Sequence, residues 1–326
     1  MENSLLRIFP VALLALAASL VSCSSEPAPK RAQSIDQQVQ IASDQFLEYW
    51  NAGDADSLSK LFAEDSVRVI STAQLPSTGR TAIKAAFMSG MKEFRTSDAI
   101  KLVSQTKNVQ ELEGNIVLAD GTFTIDEEGD IQLSGMAGYK KLHGKWATVY
   151  RKTDSGLEIL MESAHVAKDA LPAPIDYSSI EREQVPAAQD YGNAAEYADA
   201  TQNLTDTYSA GMKNNNGAMI ASIFTEDGIQ LVSSSSEANR GRAAIEQAMT
   251  VNLPEEGYAG TTLVATTLRQ RKVSDSLVIG NGLWQVVQED GTVLEFGQWG
   301  NLMQVQEDGS LMLLMESAGG FTVMPK

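Results

Sequence analysis

The sequence predicts an α+β fold, used twice in tandem. Three observations carry this. Helical periodicity precedes a run of strand-like alternation. The same order of landmarks then returns in the second half of the chain. A proline-bearing stretch separates the two halves.

In the first half, Ile35, Val39, Ala42, Phe46 and Trp50 recur at helical spacing. Gly53 ends that helix, and Asp54 or Asp56 is placed to cap a short second one with Leu58, Leu61 and Phe62 on its apolar face. Val67 and Val69 alternate with polar residues over 66–71, which predicts a strand. Gly79-Arg80-Thr81 opens a third helix with Ile83, Phe87 and Met91 inward. Four strands are predicted near 99–109, 115–125, 137–152 and 157–166, several of them separated by turn signals such as Asp120-Gly121 and Asp154-Ser155-Gly156. Helices followed by a strand meander imply helices covering one face of a curved antiparallel sheet.

The repeat is direct. Residues 62–83 and 224–245 align without a gap, with eight identities in twenty-two positions, among them Phe62/Phe224, Asp65/Asp227, Gly79/Gly241 and Arg80/Arg242. Trp50 to Gly53 meets Tyr208 to Gly211, Gly144-Lys145-Trp146 meets Gly297-Gln298-Trp299, and Met161 to Ala164 meets Met315 to Ala318. Between the copies, residues 168–190 hold Pro172, Pro174 and Pro186 and are expected to be a linker. The first domain is placed at 35–167 and the second at 191–326.

The N-terminus carries an address. Arg7 precedes an apolar run from Ile8 to Val21, too short to span a bilayer comfortably. It ends in Leu20-Val21-Ser22-Cys23, which resembles the lipobox of bacterial lipoproteins. The resemblance implies a signal peptide over 1–22, a lipid on Cys23, and anchorage to a membrane of the bacterial cell envelope. Ser24 rather than Asp after the Cys favours the periplasmic face of the outer membrane. The polar stretch 23–34, with two prolines, reads as a flexible tether.

Composition narrows the chemistry. A net charge of −17, with no basic patch, disfavours nucleic-acid binding. Cys23 is the only cysteine, so after lipidation no thiol remains for a disulfide, a nucleophile or a metal. Two histidines, His143 and His165, are too few for a multi-histidine zinc site. No metal and no cofactor is expected.

Trp50-Asn-Ala-Gly-Asp54, Leu58, Leu61-Phe62-Ala-Glu-Asp65, Gly79-Arg80 and Ile83 together resemble the SnoaL-like or DUF4440-like branch of the NTF2-like superfamily. The resemblance spans both halves, more weakly in the second. It implies two cone-shaped domains, each with three helices on a curved sheet that wraps a pocket. It also implies pairing through the sheets. Tethering would raise each copy's effective concentration to roughly millimolar, predicting a monomeric chain closed as an intramolecular pseudo-dimer.

The resemblance does not carry catalysis with it. The positions of the ketosteroid isomerase base are Ile70 and Val232 here, and those of its oxyanion tyrosine are Phe46 and Leu204. Apolar side chains neither take a proton nor stabilise an enolate. The expectation is a binding protein for a small apolar molecule or an envelope protein. The alternative is a SnoaL-like cyclase, dehydratase or isomerase with an unidentified pocket acid or base.

Candidate pocket-lining residues are Phe46, Ile70, Trp146, Ser163, His165, Leu204, Val232, Trp299 and Ser317. Alternation on the last strand sets Ile159, Met161, Ser163 and His165 toward the core, and Glu162 toward solvent or a partner sheet. The candidate polar residues are Asp65, Arg80, Asp227 and Arg242. For the two Asp the favoured reading is a turn cap after the second helix. For the two Arg it is a pairing with an acid across the loop, with Asp65 and Asp227 as the expected partners.

Overall fold

The computed structural model describes residues 33–94, 100–131, 139–167, 190–233, 235, 237–256, 258 and 260–322. The signal peptide, Cys23, nearly all of the tether and the linker up to residue 189 lie outside the described residues.

Helix α1 (Ile35–Ala52) starts with a reciprocal capping box between Ser34 and Gln37 and stops at Gly53, whose φ of 73° is left-handed. Asp54 accepts from the Ser57 amide at 2.9 Å and caps α2 (Ala55–Lys60). Strand β1 (Phe62–Ile70) begins at Phe62, four residues before the alternation suggested. Phe62 and Asp65 are therefore strand residues, not the end of a helix and its cap. Strand β2 (Ser77–Thr78) and helix α3 (Arg80–Phe94) follow, with Ile83, Phe87 and Met91 buried. The sheet is completed by β3 (Lys101–Glu111), β4 (Ile116–Ile131), β5 (Tyr139–Thr153) and β6 (Gly156–Val166).

The second copy repeats the plan: α4 (Ala198–Lys213), α5 (Gly217–Ala221), β7 (Phe224–Val232), β8 (Asn239–Arg240), α6 (Arg242–Glu256), β9 (Thr262–Lys272), β10 (Leu277–Val287), β11 (Val293–Val305) and β12 (Leu311–Thr322). The strand orders are β2-β1-β6-β5-β4-β3 and β8-β7-β12-β11-β10-β9. Among the strand pairs of the described residues, β1 with β6 and β7 with β12 run parallel and the others antiparallel.

Each sheet buries two faces. One closes over its own helices: Phe62, Ile83, Phe87, Trp146, Tyr150 and Ile159 belong to that core in the first copy. The other packs on the second sheet, where Val67, Val69, Leu118 and Met161 meet Ile229, Leu231, Ile279 and Met315. This is sheet-on-sheet packing, with side chains of both outer faces forming one core.

A bulge decides which side chain faces which way. Across β5 and β6, Tyr150 pairs with Ile159 but Val149 pairs with Met161, so Leu160 is an extra residue. In β12, Met303 pairs with Leu313 and Leu302 with Met315, which makes Leu314 the extra residue. The bulge inverts the alternation expected for β6. Ile159 faces the helices, whereas Leu160 and Met161 join the inter-sheet core. Glu162 turns inward rather than toward solvent. Ser163 and His165 are fully buried, and His165 meets the other copy.

Candidate functional site: the cavity of the first copy

Between the sheet and helices of the first copy lies a cavity of about 710 Å³. Phe46, Ile70 and Trp146 line it. Phe46, Phe62 and Phe87 pack ring to ring at centroid distances of 5.7–6.5 Å. These aromatic contacts give the wall a fixed apolar shape.

Hydroxyl-bearing side chains, among them Ser43, Ser104 and Thr148, and one ion pair interrupt the apolar wall. Arg68 and Glu162 both line the cavity and are register partners across parallel strands β1 and β6. Arg68 Nε donates to Glu162 Oε2 at 2.6 Å, and its guanidinium lies 4.2 Å from the centre of the Phe87 ring. Tyr150, on the neighbouring strand, also lines the cavity; burial pushes its phenol up, a hydrogen bond with Thr148 opposes that, and the charge of Glu162 adds to the rise. The sequence reading named none of these three as pocket residues. Arg68 was legible: it lies two positions before Ile70 on one strand, hence on the same face. Glu162 was not, because the bulge at Leu160 is set by pairing with β5.

The matching place in the second copy is chemically different. Gln230 stands where Arg68 does and Glu316 where Glu162 does. Gln230 Nε2 donates to Glu316 Oε2 at 2.9 Å, and Asn239 Nδ2 donates to Gln230 Oε1 at 3.0 Å. With no guanidinium opposite, burial pushes the Glu316 carboxyl up to about 7, although hydrogen bonds from Gln230 and Tyr208 oppose the shift. Leu204 and Val232 belong to the helix-side core of this copy. Trp299 is buried, its indole donating to the Leu283 carbonyl at 3.2 Å.

Three proposed pocket residues belong elsewhere. His165 Nε2 and Ser317 Oγ are 2.5 Å apart between the two sheets, and Ser163 is buried on the same face. The bulge carries all three away from the helices. Burial, with the Lys145 cation second, pulls the His165 imidazole down to about 3, so it is neutral near pH 7.

The four polar candidates are also structural. Asp65 pairs with Arg271 of the second copy, and Asp227 accepts from Gln110 of the first at 2.8 Å. Arg80 pairs with Glu64 and donates to the Phe62 carbonyl at 2.8 Å. Arg242 pairs with Glu226 at 2.6 Å and donates to the Phe224 carbonyl at 2.9 Å. The acids that hold the two arginines are therefore Glu64 and Glu226, one residue before the Asp expected, because strand alternation points the neighbour the other way. Among the described residues, no group of three or more His, Cys, Asp or Glu side chains could hold a metal ion.

The strand order and the three helices over one face define the architecture of both copies. Each copy has the NTF2-like fold. No protein-family model matches the chain, and no curated protein matches it. Among solved structures it is similar to an NTF2-like protein of unknown function from Shewanella oneidensis, at 15% identity over 40% of this chain and 98% of that one, with a TM-score of 0.32. A ketosteroid isomerase-like protein from Erwinia carotovora atroseptica is 11% identical over 39% and 92%, with a TM-score of 0.32. A cystatin-like-fold protein of unknown function from Nostoc punctiforme is 13% identical over 43% and 96%, with a TM-score of 0.34. Each likeness covers the length of about one NTF2-like copy.

Proposed function

We propose that the chain is an envelope lipoprotein that holds a small, mainly apolar molecule in the cavity of its first NTF2-like copy. The observation that carries this reading is a cavity whose aromatic and aliphatic wall is interspersed with hydroxyl groups and carries one ion pair, Arg68–Glu162. A site of this volume and lining suits a small organic ligand fixed by a few polar groups. The anchor also selects the ligand's charge. Glu162 already neutralises Arg68, so an anionic head would find no net positive charge there and would still be repelled by the carboxylate beside the guanidinium. A neutral oxygen acceptor, a carbonyl or hydroxyl, can share the guanidinium without that repulsion. The positions where an isomerase would need a base and an oxyanion donor are Ile70 and Phe46, both on the cavity wall. They favour retention of a ligand over its conversion. The lipobox at Cys23 supports placement on the envelope.

The test is binding of the neutral fluorescent probe N-phenyl-1-naphthylamine to the native chain and to Ile70→Trp, whose indole would project into the cavity beside Arg68 and narrow it. Native protein should bind saturably, and Ile70→Trp should bind at least about tenfold more weakly, a change of roughly 1.4 kcal/mol. Equal affinity in the two, with Ile70→Trp folded, would remove the cavity as the site.

A further inference from the structure

The contacts between the two sheets come in reciprocal pairs, as across a twofold axis. In each pair the two halves are chemically unlike. Asp65 faces Arg271 as an ion pair; the reciprocal contact, Asp227 with Gln110, is a neutral-donor hydrogen bond. Gln110 and Arg271 occupy the same place in their sheets: Gln110 is opposite Leu118, and Arg271 opposite Ile279.

Asp120, fully buried, is held by both terminal nitrogens of Arg240. The reciprocal positions are Asn281, which pairs with Gly300 as Asp120 pairs with Ala147, and Thr78. Both are uncharged, and Asn281 Oδ1 has no partner among the described residues. Lys145, fully buried, donates to the carbonyls of Ser235 and Glu237. At the reciprocal position, Gln298 donates to the carbonyls of Ile70 and Ala73, at 2.6 and 2.5 Å.

Shape follows the same rule. His165 sits against Gly319, the residue at its own place in the other copy; a Cβ added at Gly319 would land on the imidazole and come within 2.8 Å of Ser71 Cβ. His165 reaches Ser317, whereas Ser163, the counterpart of Ser317, is buried with its hydroxyl unpartnered among the described residues. The interface accommodates one imidazole, not two.

We infer that the outer sheet face of each copy fits the other copy and rejects its own kind, so that the chain closes on itself and leaves neither face for a second chain. Two first-copy faces would set each buried Asp120 opposite a threonine and bring His165 against His165. They would also bury two ammonium groups. Two second-copy faces would set each Arg240 opposite an asparagine and leave a void between glycines. A buried charge without its partner is strongly destabilising, and selectivity arises as much from such mismatches as from the favoured contacts.

The test is a reversal of the His165–Gly319 pair in the full chain, followed by urea unfolding and light scattering. Gly319→His alone should lower the folding equilibrium constant on the order of a hundredfold through overpacking. His165→Gly alone should lower it roughly tenfold by opening a void. The double variant H165G/G319H should recover about tenfold over Gly319→His, its imidazole now free of His165, and stay below native because the approach of the new Cβ to Ser71 Cβ remains. If Gly319→His does not fold, recovery of soluble protein in the double variant is the readout. A double variant no better than Gly319→His alone would overturn the inference. A second readout is independent of any substitution: two differently tagged full chains, co-expressed, should not co-purify. Co-purification with crosslinks between outer sheet faces of different chains would also overturn it.

Discussion

Glu316→Gln isolates a carboxyl whose environment moves it toward neutrality. Its ordinary value is 4.5, and burial in the second copy raises it to about 7. The protonated form is thus favoured in the folded state. Below pH 4.5 the group is neutral in both states and costs nothing. Between 4.5 and 7 the folded chain binds more protons than the unfolded one, so stability falls as pH rises. Above 7 the loss is complete. A rise from 4.5 to about 7, at roughly 1.4 kcal/mol per pKa unit, amounts to about 3 kcal/mol. Glutamine keeps an oxygen to accept from Gln230 and carries no charge. Urea midpoints of both proteins should coincide near pH 4.5 and diverge up to pH 8, where the variant is more stable by about that amount. Since all other titrating groups are shared, the difference curve reports Glu316 alone. A flat difference curve would refute the assignment. The complementary change, Gln230→Arg, recreates the pair of the first copy; it should bring Glu316 back toward the ordinary carboxylate range and abolish the descending limb.

Arg68→Met should cost about 3–5 kcal/mol at neutral pH, because it leaves Glu162, 9% exposed, without its cation; chemical denaturation checks this, and a second change Glu162→Gln should recover most of the loss. Cys23→Ser should move the protein from the membrane fraction to the soluble one, and a variant that still pellets with membranes would exclude the lipid anchor. Limited proteolysis should cut first between residues 168 and 190, where the prolines argue for exposed backbone, and give two protected fragments of similar size; early cuts within 60–160 would contradict the domain division.

The parts of the fold that depend on local chemistry were legible. Gly53 and Asp54 mark helix ends because caps are short-range hydrogen bonds, and Ile83, Phe87 and Met91 follow helical spacing; Ser34, assigned to the tether, is in fact the cap of α1. The repeat fixed the order of elements in both halves. What escaped were facts decided by distant partners. The extra residue in β6 exists because β5 pairs past it, and nothing around Leu160 announces it. From that one residue came the misplacement of Ser163, His165 and Ser317. Asp65 and Asp227 were legible as repeated acids, but their partners, Arg271 and Gln110, lie on the other sheet, where no local pattern points.

That same bulge, present in both copies, sets on which face of the sheet each difference between them falls. It turns Glu162 and Glu316 inward at the same place in each sheet and turns the residues after them outward. Inside, a single difference, Arg68 against Gln230, separates a charged, compensated anchor from a carboxyl poised near neutrality. Outside, His165 against Gly319 gives the two faces complementary shapes. The two divergences lie on opposite faces of neighbouring strands, Arg68 and Gln230 on β1 and β7, His165 and Gly319 on β6 and β12. The two faces meet at Ile70, which lines the cavity, pairs with Ala164 beside His165, and accepts at its carbonyl from Gln298 of the second copy. Ile70→Trp and the His165–Gly319 reversal should therefore couple in stability by about 0.5–3 kcal/mol, as neighbouring sites do, whereas Phe46→Leu, at a ring that packs on Phe62 and Phe87, should add to the reversal to within about 0.5 kcal/mol. Strong coupling of Phe46→Leu to the reversal would mean that the sheet transmits strain from one face to the other.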